Sequence, residues 1–103
     1  MKDLDQIRRL LPRTELLAQL AEEFTEAAQA ALKLRRVYDG TNPTPVTEEE
    51  ALRALLEEIA DAELCLFVLE YNRPWHVGQI GMVIERKADR WLKRLNQMEN
   101  REE

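Results

Sequence analysis

The chain has 103 residues, of which 34% are charged, only three are glycine and four are proline, and its formal net charge is −5. Runs of β-branched and aromatic residues that favour strands are missing, so we expect an all-α fold in a single domain, residues 1–103. The negative charge argues against a general nucleic-acid-binding protein and against a membrane-surface helix.

Two helices are predicted before residue 40. Residues 3–11 form a short first helix, which Pro12 ends because proline lacks a backbone N–H and restricts the residue before it. The second helix is predicted from Arg13 to Tyr38, in a segment rich in Ala, Leu, Glu and Gln. The following Asp39-Gly40 is a helix stop signal.

Two more helices are predicted after the proline-stiffened linker at 41–46. Thr47 and Glu50 have the spacing of a capping box and start the third helix, which we expect to run to Tyr71. Residues 72–81 are expected to break the helix before a fourth one from about Gln79 to Met98, with 99–103 as a frayed tail. The expected fold is an antiparallel bundle of about four helices.

A repeated acidic pattern lies on the core-facing sides of the second and third helices. An α-helix turns by about 100° per residue, so Glu58 points among apolar side chains. These are Ala51, Leu55, Ala62, Cys65 and Leu69. Asp61 lies one turn on, at the edge of this apolar arc. Glu23 and Glu26 repeat the spacing 35 positions earlier, and antiparallel packing of the two helices would bring the four carboxylates together.

Clustered carboxylates on a buried face are costly unless a cation neutralises them. Magnesium and manganese take oxygen ligands, whereas zinc and copper favour imidazole or thiolate and di-iron bundles use Glu-x-x-His. No histidine lies near these acids, and the single cysteine, Cys65, is expected to be a buried apolar residue rather than a nucleophile. The acid pairs therefore predict a Mg²⁺ site that could accept Mn²⁺.

The E-x-x-E and E-x-x-D motifs, preceded by Glu22 and Glu57, resemble the signature of the MazG-like all-α nucleoside triphosphate pyrophosphohydrolases. The likeness extends from about Leu16 to Leu95, with a long linker and an unmatched Trp75-His76 segment as departures. It implies Mg²⁺-dependent hydrolysis of a nucleoside triphosphate to a monophosphate and pyrophosphate.

The resemblance also implies roles for individual residues. The metal ligands would be Glu23, Glu26, Glu58 and Asp61. Glu22 or Glu57 would activate the attacking water, although a solvated helix face is the simpler explanation of both, since each lies about 100° around its helix from the neighbouring metal ligand. The phosphate-binding residues would be Lys87, Arg90 and Arg94, although lysines at such positions often only extend to solvent. Trp91 is expected in the core, and a structural role is expected for His76.

Two alternatives remain open. A related phosphoribosyl-ATP pyrophosphohydrolase would use similar acids on a different nucleotide. A helical interaction module would instead pair the acids with arginines of a neighbouring subunit. A homodimer or homotetramer is expected in each case, because apolar residues also lie away from the carboxylate side. These are Leu17, Phe24, Leu32, Leu56 and Phe67.

With no apolar stretch near the ~20 residues that span a bilayer and no signal-peptide pattern, a cytoplasmic location without membrane or nucleic-acid partners is expected.

Overall fold

The computed structural model describes residues 2–102, with the backbone alone at Glu102, and these residues form four α-helices and no strand. The helices are α1 (Lys2–Leu10), α2 (Arg13–Asp39), α3 (Glu48–Leu69) and α4 (Pro74–Glu102). The chain divides into two compact units, Met1–Glu70 and Tyr71–Glu103. The all-α prediction is confirmed. None of the described helices is long and apolar enough to cross a membrane.

The first unit is built on an antiparallel hairpin of α2 and α3. At one end of the hairpin the Tyr38 hydroxyl donates a 2.7 Å hydrogen bond to Glu48 Oε1. At the other end Leu16 lies beside Val68 and Leu69. Within residues 2–101 the buried side chains are Leu16, Ala51, Ala62, Cys65, Val68 and Leu69. Four of these six belong to the stripe that the helical wheel of α3 places around Glu58, so the predicted core face of α3 is confirmed.

Local sequence signals fix the ends of the two hairpin helices. Gly40 follows α2 in the left-handed region, at φ 76°, and its N–H bonds the Arg36 carbonyl, as the stop signal predicts. Thr47 caps α3, since its Oγ1 accepts a hydrogen bond from the Glu50 N–H at 3.1 Å. Leu69 is the last residue of α3, two residues before the predicted end at Tyr71, and Glu70 follows it with φ 64°.

Helix α1 is attached to the hairpin through Arg8. Its Nε donates a 2.7 Å hydrogen bond to the Val68 carbonyl, and the same nitrogen lies 3.1 Å from a carboxylate oxygen of Glu70. A second guanidinium nitrogen pairs with Asp5 at 2.6 Å within α1. The last carbonyls of a helix lack partners within it, so Arg8 satisfies the end of α3 while it positions α1. No residue of α1 is buried.

Helix α4 forms most of the second unit and begins earlier than predicted. The expected break at 72–81 is wrong from Pro74 onward, because α4 starts at Pro74 and includes Gly78 and Gly81. Proline is favoured at the first helical position, where its missing N–H has no partner to lose and its fixed φ suits the helix. The helix also continues beyond Met98 through Glu102, while Glu103 lies outside the described residues.

Candidate metal site

Three carboxylates meet where α2 packs against α3. Glu23 and Glu26 lie one turn apart on α2, and Glu58 lies on the facing side of α3. One oxygen of each can be chosen so that all three lie within 4.8 Å of one another. Among the residues that the structure describes, this is the group of acidic, histidine and cysteine side chains close enough to hold one ion. We call Glu23, Glu26 and Glu58 the carboxylate cluster.

Two oxygens of the carboxylate cluster are buried without a hydrogen-bond partner among the described residues. They are Oε2 of Glu23 and Oε2 of Glu58. The other oxygen of Glu23 accepts a 2.7 Å hydrogen bond from the Gln19 amide, one turn earlier on α2. Leaving a buried carboxylate oxygen without a donor or a cation is energetically costly. A bound cation would be one way to satisfy these two oxygens.

The negative charges of the carboxylate cluster act on each other. The pKa of Glu26 is raised above its usual 4.5, first by a hydrogen bond with Glu58 and then by the charge of Glu58. The charge of Glu22 raises this pKa further, whereas a hydrogen bond with Glu23 lowers it. A carboxyl group between two others holds its proton more tightly because ionisation would add a third charge. A divalent cation would remove this repulsion.

The structure brings together three of the four predicted metal ligands. Asp61, one turn after Glu58, is exposed and lies outside the group whose oxygens meet within 4.8 Å. Glu22 and Glu57 are exposed as well, on the sides of their helices next to the carboxylate cluster. The negative charge of Glu22 nevertheless affects the carboxylate cluster, because it raises the pKa of Glu26.

Cys65 lies in the core beside the acidic residues. Its side chain is 8% exposed, which confirms the prediction of a buried thiol. Burial raises the pKa of the thiol, and the charges of Glu23 and Asp61 raise it further. A thiol with a raised pKa is a poor nucleophile, since the reactive form is the thiolate. Cys65 therefore belongs to the packing of the hairpin.

The predicted phosphate-binding residues share one side of α4. Lys87, Arg90 and Arg94 are exposed and line a shallow apolar concavity together with Ile84 and Trp91. Trp91 is 62% exposed, so in this chain it is a surface residue, in contrast to the predicted core position. The three basic side chains are thus neighbours along α4, as their spacing predicts.

Trp75 and His76 lie in the first turn of α4 rather than in a loop. The Trp75 indole N–H donates a 3.0 Å hydrogen bond to His76 Nε2, and the His76 ring meets the Tyr71 ring edge-on with centroids 5.7 Å apart. These contacts leave His76 with a local structural role. Sequence reasoning missed both this pair and the Gln19 contact with Glu23, although the four-residue spacing of Gln19 and Glu23 is a visible signal for the latter.

A scan against protein-family models, a search of curated proteins and a search of solved structures each give no match to this chain. The geometry of the carboxylate cluster is therefore the observation on which a function can be argued.

Proposed function

We propose that this chain is a Mg²⁺-dependent nucleoside triphosphate pyrophosphohydrolase of the MazG-like type. The observation that carries the proposal is the carboxylate cluster, with two buried oxygens that no donor among the described residues satisfies. Magnesium is bound by oxygen ligands, keeps some of its waters and is commonly held by a few carboxylates together with substrate phosphates. The resemblance of the two acidic motifs to that family supports the same assignment.

In the proposed reaction the α–β phosphoanhydride of the nucleotide is hydrolysed by water, and the products are a nucleoside monophosphate and pyrophosphate. The carboxylate cluster would hold Mg²⁺, and Asp61 could join as a fourth ligand from the next turn of α3. The ion would neutralise phosphate charge and orient the water for in-line attack. Glu22 or Glu57 would accept the proton of that water.

The exposed basic residues of α4 are candidates for contacts with the substrate phosphates. A triphosphate carries more negative charge than one divalent ion neutralises, so cationic side chains are needed as well. Lys87, Arg90 and Arg94 lie on one face of α4 and are the candidates from which such a charge can come. Arginine suits this role because its planar guanidinium can donate two parallel hydrogen bonds to one phosphate.

The test is pyrophosphate release by the purified protein with Mg²⁺ and a panel of nucleotides that includes phosphoribosyl-ATP. We expect Glu58→Gln to lower the rate by about 100-fold or more, since even residues that only orient metal ligands contribute 10- to 100-fold. Glu15→Gln is the matched control, because it removes an exposed α2 carboxylate outside the carboxylate cluster. Unchanged release by Glu58→Gln would reject the proposal.

Thermal melts without metal separate the enzyme from an interaction module. In an enzyme, Glu58→Gln relieves repulsion within the carboxylate cluster, so the melting temperature stays the same or rises. In an interaction module that pairs these acids with buried arginines, the same change leaves a cation unpaired and costs roughly 3–5 kcal/mol. A marked fall in the melting temperature would therefore favour the interaction module.

A further inference from the structure

Helix α4 carries an exposed seam with the spacing of a coiled coil. Its residues follow one another at alternating intervals of four and three, which keeps them on one side of the helix. They are Ile80, Ile84, Lys87, Trp91, Arg94 and Met98. The four apolar members are each more than half exposed. We call this set the α4 seam. A long helix with an open apolar stripe gains its stability from whatever covers that stripe.

Helix α3 has a second seam, which lies about 80–160° around the helix from Glu58. The same four-and-three spacing gives Leu52, Leu56, Ile59, Glu63 and Leu66. Leu52, Leu56 and Ile59 are 40–55% exposed, and Leu66 is half-buried. We call this set the α3 seam. Its charged member is acidic, whereas the charged members of the α4 seam are basic.

The two seams match in one antiparallel register. When Lys87 is set opposite Glu63, Trp91 falls opposite Ile59. In the same register Ile84 meets Leu66 and Met98 meets Leu52. Apolar residues then face apolar residues in three layers, and a cation faces an anion in a fourth. Arg94 falls opposite Leu56, where its stem can pack while its charge reaches the seam edge.

A shift by one heptad in either direction gives a poorer match. In one direction Glu63 would face Ile80 and Lys87 would face Leu56, so both charges would lie against apolar residues without a partner. In the other direction Glu63 would face Arg94, but only two apolar layers would remain, Leu66 with Trp91 and Ile59 with Met98, because Leu52 would lie beyond the end of α4. Among the described residues, neither Lys87 nor Glu63 forms an ion pair within the chain. A single polar layer in an apolar seam is a known means of fixing register.

We propose that the α4 seam of each chain packs antiparallel against the α3 seam of a second copy, with Lys87 opposite Glu63. Two such contacts, related by a two-fold axis, form a closed dimer. The pairing assigns Lys87 and Arg94 to the interface. Arg90 is then the basic residue of this α4 face that remains for a substrate phosphate. The inference does not depend on the proposed activity, because its test measures mass.

Charge reversal tests both the contact and its register. We expect Lys87→Glu and Glu63→Lys each to weaken the dimer by about 100-fold, because each variant places like charges in two symmetric contacts. The double variant Lys87→Glu/Glu63→Lys should recover the wild-type association. Arg86→Glu, which makes the same charge change outside the α4 seam, is the matched control. Sedimentation velocity gives the masses, and circular dichroism checks that each variant keeps its helices.

Mixing the two single variants distinguishes pairing between copies from pairing within one chain. In a mixed dimer one contact joins the two substituted positions, whose charges are opposite again, and the second contact is the wild-type pair of Lys87 with Glu63. Equal amounts of the two variants should therefore form dimers at concentrations where each alone is monomeric. If the mixture stays monomeric, the inference is overturned. A wild-type monomer from about 1 to 100 µM, or dimers that all charge variants leave unchanged, would overturn it as well.

Discussion

At the scale of single residues, Glu26 links the stability of the metal-free protein to pH. Its pKa is raised above 4.5 in the folded chain, so the folded state binds this proton more tightly than the unfolded state does. The resulting stabilisation is complete below pH 4.5 and is lost as the pH rises through the raised pKa. We expect the free energy of unfolding of the wild type, relative to Glu26→Gln, to fall as the pH rises.

Urea unfolding at a series of pH values with a chelator present measures this difference. Glu15→Gln controls for the loss of an α2 carboxylate outside the carboxylate cluster, and it should keep the wild-type pH dependence. If wild type and Glu26→Gln change in parallel over the whole range, the coupling between Glu26 and Glu58 is absent in solution.

The sequence predicts much of the carboxylate cluster, because a helical wheel fixes direction well. Glu23 and Glu58 are half-buried where the wheel puts them, among the apolar residues of α2 and α3. The helical wheel does not predict the exposure of Asp61, which lies outside the carboxylate cluster. This residue lies about 60° from Glu58 on the wheel, at an edge where the angle of packing and the side-chain rotamer decide between burial and exposure. Neither quantity can be read from spacing alone.

At the scale of helices, Arg8 is the residue that holds α1 to the end of α3. We expect Arg8→Ala to destabilise the protein by about 1–3 kcal/mol, because the Val68 carbonyl loses a charged donor and Glu70 loses an ion-pair partner. The loss should be local, since α1 buries no residue of its own.

Hydrogen exchange of the α1 amides measures that local loss. Arg9→Ala is the control, because Arg9 is an exposed neighbour on the same helix. Equal protection of α1 in the wild type and in Arg8→Ala would show that apolar contacts, rather than Arg8, hold the helix in place.

The helices also differ in how far the sequence predicts them. α2 and α3 are predicted to within two residues at each end because glycine and a capping threonine mark their boundaries. The start of α4 is missed by five residues, at Pro74 rather than Gln79. A proline and two glycines within eight positions have low helix propensity, but proline at the first position costs nothing and long helices outweigh single glycines.

At the scale of the whole molecule, the amount of exposed apolar surface is the dominant feature. Twenty large apolar side chains are exposed among the described residues, whereas only six apolar residues are buried. If the α3 and α4 seams pair in a dimer, unfolding is coupled to dissociation. The melting temperature should then rise by about 3 °C for each tenfold increase in protein concentration, as expected for a dimer of this length.

Calorimetry over a hundredfold concentration range makes that measurement. Lys87→Glu should melt at a temperature that does not depend on concentration, whereas Arg86→Glu should follow the wild type. A wild-type melting temperature independent of concentration would contradict the dimer. Composition and residue spacing predict that apolar side chains remain exposed. They do not predict which helix faces pack together, because that pairing depends on the register and the charges of two helices at once.

The position of Cys65 allows the opening of the hairpin to be followed by the rate of thiol labelling. As the chain has one cysteine, every thiol-reactive probe reports on a single point, next to Glu23 and Asp61 in the interface of α2 and α3. Because the thiol is buried, modification has to wait until the two helices separate, so its rate follows the opening of this interface rather than the reactivity of the sulfur. Any ion or nucleotide that holds α2 and α3 together should therefore slow labelling, whatever reaction the site performs.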